Sequence, residues 1–245
     1  MYGCEVCMIV SNLFAGSKLF LASGKFPVPA GVTIVRALAV GGGSGGDCGG
    51  HGGGGSGLVK GVTVSVNPGQ TYDVTVGAGA DGRYCGEQVF PGGTSSFNGI
   101  QAPGGAVAIN SGGYGGSGGG AGCIHTEDTT PGAGGSDGSS GGNCATRSGA
   151  GGQGSFAPLF AIFKLNKFSA GAGGAPGVGA WYSGGGAGGV KIEGQANIIA
   201  GNGLGSGAAQ GGHGFGAGGG AGGGVSDFGD KGGSGKSGFV YIEWD

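Results

Sequence analysis

Glycine recurs along this chain in dense runs, GGGSGGDCGGHGGGGSG at 41–57, GGYGGSGGGAG at 112–122 and GHGFGAGGGAGGG at 212–224. These runs constrain the fold more than any other feature. Glycine supplies 75 of 245 residues, where ordinary usage is about 7%. Collagen is excluded, since no Gly-X-Y period is sustained and there are eight prolines. Fixing a residue costs ~1–2 kcal/mol of backbone entropy, and glycine sits at the high end. Its missing side chain buries almost no apolar area in return. Order in such runs must therefore come from the backbone's own N–H and C=O groups, each bond worth ~0.5–1.5 kcal/mol net. Left-handed polyglycine II helices, with three residues per turn, satisfy this requirement. Their amides point outward and bond between helices, and the absence of Cβ atoms permits close approach and Cα–H···O contacts. Bulky residues belong at the ends of such rods.

Disorder is opposed by the rest of the composition. Hydrophobic residues make up 37%, with twelve Phe, six Tyr and two Trp, so the chain can build a core. Net charge is −2 and only 10% of residues are charged, which provides no basic patch for nucleic acid or an anionic membrane. No apolar run reaches the ~18 residues of a membrane span. The N-terminus, MYGCEVCMIVSNLFAGSKLF, has no basic residue before Lys18, unlike a secretory signal. Residues 1–23 are read as a leading strand or attachment segment, and 24–245 as one glycine-rich domain.

Strands are expected mainly over 26–40, 58–77 and 238–244, with glycine rods over 41–57 and 77–237. FPVPAGVTIVRALAV (26–40) has a Pro-Ala-Gly turn and then apolar residues at both parities, the pattern of a strand covered on both faces. GVTVSV puts Val62, Val64 and Val66 on one face. NPGQ suits a type II turn, and TYDVTV puts Tyr72, Val74 and Val76 on one face. The spacing predicts a β-hairpin over this stretch. Between 77 and 238 glycine clusters alternate with islands: RYCGEQVF, CIHTEDTTP, NCATRSG, SFAPLFAIFKLNKF, GVGAWYSG and VKIEGQANII. There is no fixed solenoid period.

Chemical motifs are few. DKGGSGKS (230–237) approximates a phosphate-binding loop, but Asp230 stands where glycine is needed and the segment leads toward a strand, so a turn is expected. Cys4, Cys7, Cys48, Cys85, Cys123 and Cys144 allow disulfides, a metal or free packed thiols. His51 lies three residues after Cys48 and His125 two after Cys123, but the second C-x-x-C of a zinc site is missing. Free thiols are the preferred reading. With His213, the three histidines lie in glycine-rich or tip segments, and no nucleophile elbow or paired carboxylates frame a catalytic site. No enzymatic activity, cofactor or metal is expected. The island at 155–168 carries Phe156, Leu159, Phe160, Ile162, Phe163, Leu165 and Phe168, with Lys164 and Lys167 among them. It either packs under the sandwich or a symmetry mate, or forms an exposed binding tip. Trp181 and Tyr182 make a second aromatic tip. Phe156, Leu159, Phe160, Ile162, Phe163, Lys164, Lys167, Phe168, Trp181 and Tyr182 are the expected partner-binding residues.

GKFPVPAGVTIVRALAVGGGSGG, VTVSVNPGQTYDVTVGAGADG, GGTSSFNG and SGFVYIEW, in this order, resemble a glycine-rich module of phage and viral fibre proteins. A related domain occurs in the extracellular part of anaplastic lymphoma kinase receptors. The resemblance spans about 24–244 and implies an all-β fold, a jelly-roll or tumour-necrosis-factor-like (TNF-like) β-sandwich with an inserted polyglycine II bundle. T-even-type phage adhesins present loops on a comparable bundle, an analogy of architecture alone. Six cysteines and the 155–168 island depart from the pattern. The expectation is a virion fibre, tail-tip or surface protein, otherwise extracellular. It would be a homotrimer contacting other virion proteins or a glycan or protein receptor, without nucleic acid or membrane insertion. A capsid or filament subunit, and a secreted matrix or ice-binding protein, are the alternatives.

Overall fold

The computed structural model describes residues 15–47, 52–84, 87–88, 90–106, 112–120, 138–142, 149–154, 161–163, 167–177, 184–202, 208–219 and 231–245. Ten strands form among them and no helix: β1 (Gly16–Phe20), β2 (Gly24–Pro27), β3 (Ile34–Val40), β4 (Val59–Ser65), β5 (Thr71–Thr75), β6 (Ser95–Phe97), β7 (Ile100–Ala102), β8 (Phe168–Ala170), β9 (Val190–Ile192) and β10 (Phe239–Trp244). Two open four-stranded sheets run in the order β1-β10-β3-β4 and β2-β5-β6-β7, and β8 pairs with β9 alone. Every ladder is antiparallel.

The two-sided apolar pattern of β3 is explained by two cores. Val35, Ala37 and Ala39, with Val240 and Ile242 of β10, pack between the sheets against Phe26, Val74, Phe97 and Ala102. The alternate residues Leu38, Val40, Phe239 and Tyr241 point to the other face. There they meet Phe168, Val190 and Ile192 of the β8–β9 hairpin, with Phe163 and Phe215. The first sheet is therefore covered on both sides, as its sequence requires. The Pro-Ala-Gly turn also forms between β2 and β3, with Val32 N–H donating to Pro29 C=O and Gly31 at φ 81°.

The hairpin expected over 61–76 does not form. Its turn is present, since Gln70 N–H donates to Asn67 C=O and Gly69 has φ 76°, the third-position value of a type II turn. Its strands separate into different sheets, β4 pairing with β3 and β5 with β2. Val66 and Val74 enter the first core from opposite sheets, and Val62, Val64, Tyr72 and Val76 pack against it. Alternation identified the buried faces correctly, but two strands facing one core across a sandwich alternate just as two strands in one sheet do.

The glycine segments are extended and cross-bonded. Segment 41–47 lies beside 52–57 through Ser44 N–H to Gly55 C=O (3.0 Å) and Asp47 N–H to Gly52 C=O (3.1 Å). Segment 52–57 also reaches in other directions, with Gly53 N–H to Gly120, Gly54 N–H to Gly219, Ser56 N–H to Ser117 and Ala187 N–H to Gly54 C=O. The described parts of this run between β3 and β4, 41–47 and 52–57, are thus hydrogen-bonded to each other and to other segments, unlike a free linker. Outer segments repeat their burial every third residue. In 171–177 the order is buried, exposed, half-buried, twice over and ending buried, and 149–153 follows it with Ala150 and Gln153 outward. The segment 231–238 is bonded into this assembly by Gly235 N–H to Ala80 and Lys236 N–H to Ala217 C=O, then enters β10. The phosphate-loop-like residues within it therefore precede a strand, and the expected turn is an extended rod.

Candidate functional site

Among the described residues, Lys167 and Phe168 are the expected site residues brought together in a cavity wall. Phe168 opens β8, and Lys167 precedes it. The short β8–β9 hairpin holds them, with Phe168 opposite Ile192 and Ala170 opposite Val190. Glu193 N–H extends the ladder by donating to Lys167 C=O at 2.7 Å. The chain then turns, with Gln195 N–H on Ile192 C=O and Gly194 at φ 77°. Val190 exchanges both backbone bonds with Phe215 on its other side (2.8 and 3.0 Å).

These elements enclose a cleft of about 530 Å³, within the usual ~300–1,000 Å³ range of small-ligand sites. Its lining combines an apolar set, termed the floor, of Phe168, Val190, Ile192, Ile198 and Phe215 with a polar set, termed the rim, of Lys167, Lys191, Glu193, Gln195 and Asn197. Phe168 stacks on Phe239 at 5.9 Å and meets Tyr241 edge-on at 5.1 Å. The floor is thus anchored to the central strand of the sheet beneath, which fixes the rim.

Phe163 is buried in the same core, in edge contact with Phe168 and Tyr241, while Ile162 is exposed. Phe156, Leu159, Phe160, Lys164, Trp181 and Tyr182 lie outside the described residues, as do all six cysteines, His51 and His125. His213 is half-buried in a glycine segment, its N–H donating to Ala172 C=O. No group of three or more His, Cys, Asp or Glu among the described residues could hold a metal ion, and no helix there is long and apolar enough to cross a membrane.

Sequence reasoning missed a second ordered feature, seven residues beyond β3. Asp47 is fully buried and its Oδ1 receives the Arg83 guanidinium at 2.6 Å. Arg83 Nη1 also donates to Glu87 C=O, Tyr84 N–H donates to Glu87 Oε2, and Lys231 Nζ lies 5.7 Å from the Tyr84 ring. The clamp holds Tyr84 half-exposed at the surface. Arg83 and Tyr84 fall in the island RYCGEQVF, which carried no signal that paired Arg83 with Asp47.

The sequence profile of the glycine-rich domain matches residues 21–245. The chain belongs to the glycine-rich domain family. That match runs from the residue after β1 to residue 245 and takes in both cores apart from Leu19 and Phe20 of β1. No curated protein matches the chain.

Proposed function

We propose that this glycine-rich domain is a non-enzymatic virion fibre, tail-tip or surface protein. In this reading it is a jelly-roll or TNF-like sandwich whose inserted rods are polyglycine II helices. The rods stiffen a platform, and loops at their ends bind a host receptor or neighbouring virion proteins. The observation that carries it is the three-residue burial repeat of 149–153 and 171–177, combined with amide bonds from 52–57 to several separate segments. A flat sheet has a two-residue repeat and two neighbours per strand; three residues per turn is the polyglycine II geometry. Rigid presentation limits the entropy lost when a partner binds. The sandwich would assemble as a homotrimer, and the assembly would be exposed on the virion.

Light scattering of the purified chain together with electron microscopy tests this reading. A trimer of uniform elongated particles is expected, and antibody to the chain should label fibre ends or the surface of intact virions. A monodisperse monomer overturns the trimer, and absence of label on virions overturns the placement.

A further inference from the structure

We propose that the β8–β9 cleft is a binding site for a short saccharide bearing a carboxylate. The inference deepens the receptor-binding reading above and rests on it only for the biological source of the sugar.

Four of the cleft's five apolar lining residues are covered by the protein itself, and the fifth, Ile198, is half-buried. Phe168 and Phe215 are each 6% exposed, Ile192 is 9% and Val190 is 0%. A hydrophobic ligand would gain little there, since apolar transfer scales with area removed from water. Recognition must come from the rim, which is polar and well supplied: Lys167, Lys191, Glu193, Gln195 and Asn197. Amide side chains donate and accept at once, and a carboxylate accepts from two hydroxyls. That is the complement of a polyol.

The charge comes from the hairpin's geometry. Side chains alternate along a strand, and Phe168, Val190 and Ile192 face the core. Lys167, Lys191 and Glu193 therefore share the opposite, outward parity. Ser169 is opposite Lys191 and Glu193 is bonded to Lys167, which makes the two lysines diagonal neighbours at ~7–8 Å. None of the ion pairs among the described residues engages Lys167, Lys191 or Glu193. Two uncommitted ammonium groups against one carboxylate give the rim a net charge of +1, on a chain whose formal charge is −2. A ligand carboxylate between the lysines relieves their repulsion, while its hydroxyls meet Glu193, Gln195 and Asn197.

The probes are sialyllactose, neutral lactose and sodium acetate, titrated into the full chain and followed by amide chemical shifts. Sialyllactose should saturate and shift resonances of 167–169 and 190–198, with lactose and acetate binding at least tenfold more weakly. Lys167→Gln combined with Lys191→Gln should weaken sialyllactose at least tenfold without changing the thermal midpoint. Lactose binding as tightly as sialyllactose, shifts confined to other residues, or no saturation overturns the proposal. If the double variant fails to fold, the wild-type shift map and the sialyllactose-to-lactose ratio still decide it. These outcomes leave the trimer and virion labelling untouched, so either reading can fail without the other.

Discussion

At the residue scale, two glycines show opposite reasons for being glycine. A Cβ on Gly54 would overlap the carbonyl oxygens of Ser44 and Gly45, which are backbone atoms unable to swing aside. Gly69 meets nothing within 4 Å and is required only by its φ of 76°. Gly54→Ala should cost about 1–3 kcal/mol through forced backbone displacement. Gly69→Asn should cost about 1 kcal/mol or less, because Asn tolerates the left-handed region. Urea denaturation midpoints of the two variants check the contrast. The Asp47–Arg83 pair gives a second residue-scale test. Asp47→Ala leaves a buried guanidinium short of its carboxylate and should destabilise by about 3–5 kcal/mol. Asp47→Leu with Arg83→Met should recover most of that loss in a double-mutant cycle. Nothing in DCGGH or RYCGE marked these two charges as partners, because pairing across 36 residues depends on how the rods stack.

At the element scale, β10 carries both cores and an ion-pair cluster. Arg36 of β3 stands opposite Glu243 and binds it at 2.8 Å, and also binds Asp245 at 2.9 Å. These carboxylates hold the Arg36 guanidinium above its usual pKa, with hydrogen bonding to Asp245 the largest cause. Tyr241 donates to Glu243 Oε2 at 3.1 Å. Burial, aided by the Glu243 charge, raises the Tyr241 phenol above its ordinary value of 10.0, against the opposing effects of Ser17 and Arg36. The unfolded phenol then releases its proton first as pH rises. Stability from this group is complete below about pH 10 and is lost above it, as pH climbs toward the folded-state pKa. A thermal midpoint falling beyond pH 10, with a shallower fall in Tyr241→Phe, is the expected result. β10 was legible in GFVYIEWD, as was the two-sided burial of β3. Pairing of β4 and β5 was not, because period-two patterns specify a face and leave the partner open. Asn98-Gly99 was a readable hairpin signal: with φ of 41° and 82° it links β6 to β7 in the manner of a type I′ turn. Of the site, Phe168 and Lys167 lay in an island distinguished by its apolar density. Lys191, Gln195 and Asn197 in VKIEGQANII carried no such contrast, since a rim of ordinary polar residues resembles any surface loop.

At the scale of the whole molecule, sheet and glycine bundle share one stability. Gly41 N–H donates to Leu58 C=O at the foot of β4, and Gly238 N–H donates to Gly77 C=O at the entry to β10. Ser95 Oγ–H bonds Val40 C=O while receiving Gly77 N–H, which ties the two sheets to the bundle at one buried hydroxyl. Amide exchange should therefore find Gly53, Gly54 and Ala187 protected to the same degree as Leu38 of β3, opening in one cooperative unit. Fast exchange at the glycines with protection retained in β3 would separate the two parts.

The three-residue repeat of the outer segments also governs which changes of length the protein can accept. Adding one residue between Ala172 and Ala175 would turn the following chain by about a third of a revolution. That moves the Pro176 pyrrolidine into the buried phase that Gly177 now holds, and the Ala175 methyl into the half-buried phase. Adding three residues restores the phase and lengthens the rod by ~9 Å. Single-glycine insertions there should lower the thermal midpoint far more than a Gly-Ala-Gly insertion. On the proposed polyglycine II reading, gene variation in multiples of nine nucleotides would extend the rods, and any other multiple of three would misphase them.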